Sequence, residues 1–211
     1  MNSTETRQKL LKSDEFVFSE VQKLQTFYHL KREIRYGHSR EDKNHTESVA
    51  EHIFAIHCLI DYFLPLEDPD GKWNKLKIHE MAQYHDIDEI ETGDIVSYKK
   101  TASDYANEVE AREKVIARLP ESTQSNINEI VKEFEAQSTI EAKFVKALDK
   151  FEPMIHCFSE SGRKTLHGNK FTVERRYQFT GDHIKPFPIL NRFEETLNSH
   201  FIKEKYYYSE S

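Results

Sequence analysis

The sequence predicts an all-α protein, a bundle of six or seven helices in one layered core. Three observations lead there. Gly and Pro number only 6 each among 211 residues, too few for the closely spaced turns of an all-β chain. Apolar residues recur at i, i+3, i+4 and i+7 through most of the chain. Charged residues make up 32%, which suits long helices with one solvated face each.

Taken in order, a first helix is expected from about Asp14 to Ile34, where Phe16, Val17, Val21, Leu24, Phe27 and Tyr28 keep helical spacing. A polar loop, Arg35 to His45, follows. Thr46 reads as an N-cap, and Val49, Ile53, Ile56, Ile60 and Phe63 make one stripe down to Pro65. Pro69 and Gly71 mark a loop from Leu66 to Lys72. A third helix is expected from Lys75 to Ile90, ended by Thr92-Gly93-Asp94. A charged helix runs from Ala102 to Leu119, another from Pro120 to Gln137, and a third from Thr139 to Phe158. Between Ser161 and Pro188 the pattern is mixed, and Phe171 to Phe179 reads as a short strand pair or a loop. Leu190 to Phe201 is the last helix. No repeat or linker splits the chain, so residues 1–211 are expected as one domain, with a core over about 27–158 and residues 159–211 packed on or beside it.

Composition bounds the partners. A net charge of -7 is the wrong footprint for a general nucleic-acid binder, though it allows a small phosphate to be held by local cations or a metal. Met1 to Asp14 is polar with no apolar core, and the longest apolar stretch falls short of a membrane span, so no membrane partner is expected and the cytoplasm is the expected compartment. Cys58 and Cys157 form no CxxC pair, so a thiolate zinc site is not indicated; both lie on apolar helical stretches and are expected as buried thiols.

Chemistry concentrates in three places: Glu51-His52, His85-Asp86 and Asp149. Each falls on the apolar side of an expected helix, where an uncompensated carboxylate is costly. One divalent cation would compensate two carboxylates and two imidazoles at once. An N2O2 set of His52, His85, Asp86 and Asp149 suits Mn, Co, Fe, Ni or Zn, with Mg also possible. Taken singly, His52 reads more readily as a core histidine, and Asp149 as a surface aspartate paired with Lys146 or Lys150. Glu89 follows His85 by four residues and Asp86 by three, which puts it on their helical face as a candidate acid/base. Gly93 permits a turn that aims Asp94 back at the same pocket. His57, one turn past His52, reads as a core histidine or as a support for the site.

The order of these residues resembles the HD superfamily of metal-dependent phosphohydrolases, whose H…HD…D pattern is matched by His52, His85-Asp86 and Asp149. Glu47-Ser48-Val49-Ala50-Glu51-His52 and the run from His85 to Asp94 are most similar to its 5'-deoxyribonucleotidase branch. The resemblance covers about Phe27 to Phe158. It implies an all-helical, dimeric enzyme that hydrolyses the phosphomonoester of deoxynucleoside 5'-monophosphates with one transition metal. It implies His52, His85, Asp86 and Asp149 as ligands, Glu89 as general acid/base and Asp94 beside the sugar. It places Arg35 at the phosphate and His38 at the base. The loop Arg40 to Asn44 is more acidic than that branch's pattern. The alternatives are an HD-type phosphodiesterase or nucleotide pyrophosphohydrolase, and an HD domain without activity used for binding or regulation. No histidine occurs between Asp86 and Asp149, which disfavours a two-metal oxygenase.

Overall fold

The computed structural model describes residues 6, 9–37, 47–95 and 100–209, and these are helical with no strand among them. The described helices are α1 (Asp14–Leu24), α2 (Val49–Glu67), α3 (Lys75–Tyr84), α4 (Glu89–Thr92), α5 (Ala102–Arg118), α6 (Glu121–Ala136), α7 (Ile140–His156), α8 (Glu160–Gly168), α9 (Val173–Thr180) and α10 (Pro188–Lys203). Polar residues fix where they start. Ser48 and Glu51 form a reciprocal capping box on α2, as Thr101 and Asp104 do on α5. Asn74, Thr139, Ser159 and Thr172 cap α3, α7, α8 and α9 with their side chains.

Four expectations are corrected. The first helix ends at Leu24 and continues as a 3-10 turn over Gln25–Lys31, where Thr26, Phe27, Tyr28 and His29 are poor helix formers. The cap of α2 is Ser48; Thr46, the expected cap, lies outside the described residues. The segment around Phe171 to Phe179 is neither strand nor loop, because Thr172 caps a helix that buries Arg176 against Glu194. With α8 this adds two helices to the expected bundle. Close packing of α8 onto the end of α7 depends on Gly162, where a Cβ would run into the Cys157 backbone. Finally, Cys157 is buried as expected but Cys58 is exposed, since α2 is apolar on its outer face as well as its inner one.

The core has two main parts. One joins Ile56, Ile60 and Phe63 of α2 to Met81 of α3 and to Phe144, Leu148 and Phe151 of α7. The other joins Val49 and Ile53 at the start of α2 to Ile87, Ile90, Val115 and Ile127. Phe63, Phe134, Phe144, Phe151 and Phe187 are all under 2% exposed. Each such side chain contributes about 1.5–3 kcal/mol on burial. His52 lies between Val49 and Ile56, and His85 between Ala82 and Ile87. The polar cluster therefore sits where the two halves of the core meet.

Candidate metal centre

Three helices bring the four candidate ligands close together. His52, 0% exposed, lies one turn into α2, just after its capping box. His85 follows the last residue of α3, and Asp86 lies in the turn beyond it. Asp149 faces them from the middle of α7. His52 Nε2 is 3.4 Å from Asp149 Oδ1 and 3.9 Å from Asp86 Oδ2. His85 Nε2 is 3.1 Å from Asp86 Oδ2 and 3.8 Å from Asp149 Oδ1. Ligands at ~2.1 Å from a common ion lie roughly 3.0–3.4 Å apart in octahedral or tetrahedral geometry. The His52, His85 and Asp86 atoms lie within 4.8 Å of one another, close enough to hold an ion, and Asp149 Oδ1 borders them.

The residues fit a metal on independent grounds. Both imidazole Nε2 atoms are buried and without a hydrogen-bond partner, which is costly unless something else occupies them. Both are also aimed. His52 Nδ1 donates to Glu152 Oε2 at 2.9 Å, and His85 Nδ1 donates to the Ala82 carbonyl at 2.9 Å. An acceptor at Nδ1 leaves the Nε2 lone pair free in the neutral ring. The Ala82 carbonyl is available because α3 ends at Tyr84. The chain then tightens through i→i+3 bonds such as Glu89 N to Asp86 O at 3.1 Å. That turn replaces the continuous helix to Ile90 expected from the sequence.

A second group, Glu47, His52 and Glu152, is close enough to hold an ion, but it already has its cation. Arg35 Nη1 lies 2.6 Å from Glu47 Oε1 and 3.6 Å from Glu152 Oε2. His156 Nδ1 adds a contact to Glu47 Oε2 at 3.0 Å. Burial raises the Glu47 carboxyl, but His156 and then Arg35 outweigh it and bring it down to about 2. Asp149 is likewise held well below the carboxylate range: Lys150 and Lys146 overcome the opposing effect of burial. At His52, burial and Arg35 lower the imidazolium, yet Glu152 and Asp149 together hold it up at about 9. The cluster thus attracts positive charge strongly.

Glu89 is 8% exposed, and its Oε2 has no partner. Burial, then Asp86 and Asp94, push its carboxyl well above the usual range. Gly93 takes φ 68° and ψ 166° at the end of α4, a region nearly closed to other residues, and this turns Asp94 back to the cleft. Asp94 Oδ2 accepts from the Tyr36 backbone N–H at 2.9 Å, and Oδ1 is 3.7 Å from Arg35 Nε. Arg35 and Tyr36 are held there by a short antiparallel pairing of Glu33–Arg35 with Glu47–Val49, including Arg35 N to Glu47 O at 2.9 Å and Val49 N to Glu33 O at 3.0 Å. Tyr36 has φ 65°, uncommon for an aromatic residue, and stacks on His156. His38 and Arg40 lie outside the described residues.

His85, Asp86 and Asp149 open onto a cleft of about 470 Å³, lined also by Arg35, Glu89, Asp94, Lys100, Lys146 and Lys150. Arg35 and Asp94 also border an apolar recess of about 80 Å³ walled by Tyr36, Met154, Leu166, Phe171 and Phe179. His57 does not join the cluster; its Nδ1 lies 2.7 Å from His79 Nδ1 on α3. Sequence reasoning missed Glu152 and Glu47. Glu152 had a signal, its place three residues after Asp149 on the same face of α7. Glu47 had none, since its partners converge only in the folded chain.

A family model described as HD domain matches residues 27–189. The chain is 32% identical over 128 residues to 5'-deoxynucleotidase HDDC2 of Bos taurus, covering 60% of each chain. It is 32% identical over 118 residues to 5'-deoxynucleotidase hdd1 of Schizosaccharomyces pombe, covering 53% of this chain and 57% of that one. The chain therefore spans about 60% of the bovine relative's length. In fold it resembles a predicted metal-dependent phosphohydrolase from Magnetospirillum magnetotacticum, with a TM-score of 0.77 and 20% identity over 92% of this chain and 96% of that one.

Proposed function

The chain belongs to the HD-domain family, and on that premise we propose that it hydrolyses the 5'-phosphomonoester of nucleoside monophosphates, deoxynucleotides foremost, with one divalent metal at His52, His85, Asp86 and Asp149. The observation that carries the reading is the pair of buried, unpartnered Nε2 atoms facing two ionised carboxylates. The deoxynucleotide preference is supported by the names of the relatives. A divalent ion bound there supplies Lewis acidity toward a phosphoryl oxygen and lowers the pKa of water.

The chain's own residues do the rest. Glu152 and the Ala82 carbonyl orient the two imidazoles. Glu89 holds a proton at the cleft and delivers it to the departing sugar oxygen, then takes one from water to reset. Asp94 and Tyr36 border the nucleoside side, with the Arg35 Nε, buried and without a hydrogen bond, as a donor toward the phosphate. The recess beside them is smaller than the ~150 Å³ cavity that admits benzene, so it takes the edge of a base rather than a whole ring. The wider reading is a cytoplasmic homodimer. Two free thiols, one of them exposed, suit a reducing compartment, and the apolar outer face of α2 suits a partner copy.

The test is phosphate release from deoxy- and ribonucleoside 5'-monophosphates, with Mn, Co or Mg restored in turn to stripped protein. Metal-dependent release, strongest with deoxynucleotides, is expected. The double variant His85→Ala/Asp86→Ala should lose bound metal and activity together; full activity in it would sink the site. No release with any metal, from protein that still binds one, would move the substrate to another phosphate class.

A further inference from the structure

The proposed site still needs a counter-charge for a dianionic phosphate, and Arg35 is poorly placed to be the whole of it. Its guanidinium already faces Glu47, Glu152 and Asp94 at 2.6, 3.6 and 3.7 Å. Two other cations line the same cleft. Lys150 Nζ is 3.3 Å and Lys146 Nζ 3.5 Å from Asp149 Oδ2, the oxygen that points away from the histidines. Each ammonium rests over an aromatic ring of the cleft wall, Lys150 on Phe179 at 4.3 Å and Lys146 on Phe134 at 5.1 Å. The other cations of the cleft are matched elsewhere: Lys100 pairs with Glu108, and Arg112 with Asp88 and Glu135.

We propose that Lys146 and Lys150 form the anion side of the site and take the non-bridging oxygens of the substrate's phosphoryl group. The inference rests on the phosphohydrolase reading. Without a metal, Asp149 is shared between the imidazoles and the two lysines. A divalent ion held by the imidazoles, Asp86 and Asp149 Oδ1 would balance the two carboxylates, so the ammonium groups would keep their contact to Asp149 Oδ2 but no longer be neutralised by it. Two positive charges are left facing the cleft, which matches one phosphomonoester dianion. His183 on the same wall registers that field: burial, then Lys146 and Lys150, lower its imidazolium below the ordinary value. Both lysines lie on α7, one turn before and directly after Asp149, so the helix that presents the ligand also presents its counter-cations.

The experiment measures binding of inorganic phosphate to metal-loaded protein, with bound metal assayed in parallel. Lys150→Gln should weaken phosphate about 10-fold, as loss of a charge-assisted contact does, and Lys146→Gln/Lys150→Gln should weaken it further. Metal content should hold, because Asp149 loses competitors rather than support. Lys150→Arg should restore most of the binding, which shows the charge rather than the fold to be at stake. Unchanged phosphate affinity in the double variant would overturn the proposal. So would loss of metal together with phosphate, since the lysines would then be props for Asp149. Lysine-dependent phosphate binding in a protein that releases nothing from any nucleotide would uphold the subsite and refute the nucleotidase reading.

Discussion

Glu89 shows how a single environment sets chemistry. A glutamate in water is ionised at neutral pH, but here burial and the nearby Asp86 and Asp94 favour the protonated form. Glu89→Gln keeps the shape and burial while removing the proton that can be exchanged. The expected result is unchanged metal content with turnover down by about 10²–10⁴-fold. A near-normal rate would take Glu89 out of acid/base work. At this scale the ligand candidates were legible, because each is a polar residue on an otherwise apolar face and two of them are adjacent. Asp149 also shows why two readings survived in the sequence. Both settings are present, one on each carboxylate oxygen: Oδ2 pairs with Lys146 and Lys150, and Oδ1 faces His52 Nε2. Glu47 was not legible. It lies in the stretch singled out for its motif, but its contacts to Arg35 and His156 span sequence distances that no periodicity reports.

For whole elements, helix existence was readable from spacing and helix ends from caps, with two instructive failures. The box Ser48-Val49-Ala50-Glu51 was printed in the sequence and was the true start of α2. Near the C-terminus, Phe171, Val173, Tyr177 and Phe179 alternate as in a strand, and the charged residues between them look solvated. Arg176 is instead 2% exposed. It donates to Glu194 Oε1 at 3.0 Å and to the Lys150 carbonyl at 3.0 Å, so it ties α9 to both α10 and α7. A pattern that counts arginine as surface cannot find such a helix. Arg176→Ala would strand Glu194 as a half-buried charge and remove the tie to the Lys150 carbonyl of α7. A loss of about 3–5 kcal/mol is expected, read as a lowered denaturation midpoint. A change under about 1 kcal/mol, the scale of an exposed pair, would show that the network contributes no more than a surface salt bridge.

Across the molecule, α2 carries two demands. Its inner face holds Val49, His52, Ile56, Ile60 and Phe63 in the core. Its outer face exposes Phe54 at 70%, Tyr62 at 54% and Leu66 at 45%, with Cys58 also exposed among them. By length and composition this helix is apolar enough to cross a membrane, yet the same helix places a buried imidazole at the centre of the fold. A helix that is apolar all round is buried on all sides in its working state, and contiguous exposed apolar surface marks an interaction face. A second copy of the chain is the occupant that fits the proposed homodimer. Phe54→Glu/Tyr62→Glu puts two like charges on that face without touching His52 or its partners. Light scattering should then report a monomer where the parent protein is a dimer, with bound metal retained. A parent protein that is already monomeric, or a variant that stays dimeric, would remove α2 as the dimer contact. Recovery of the parent with lipid vesicles, lost in the variant, would assign the same face to a membrane surface.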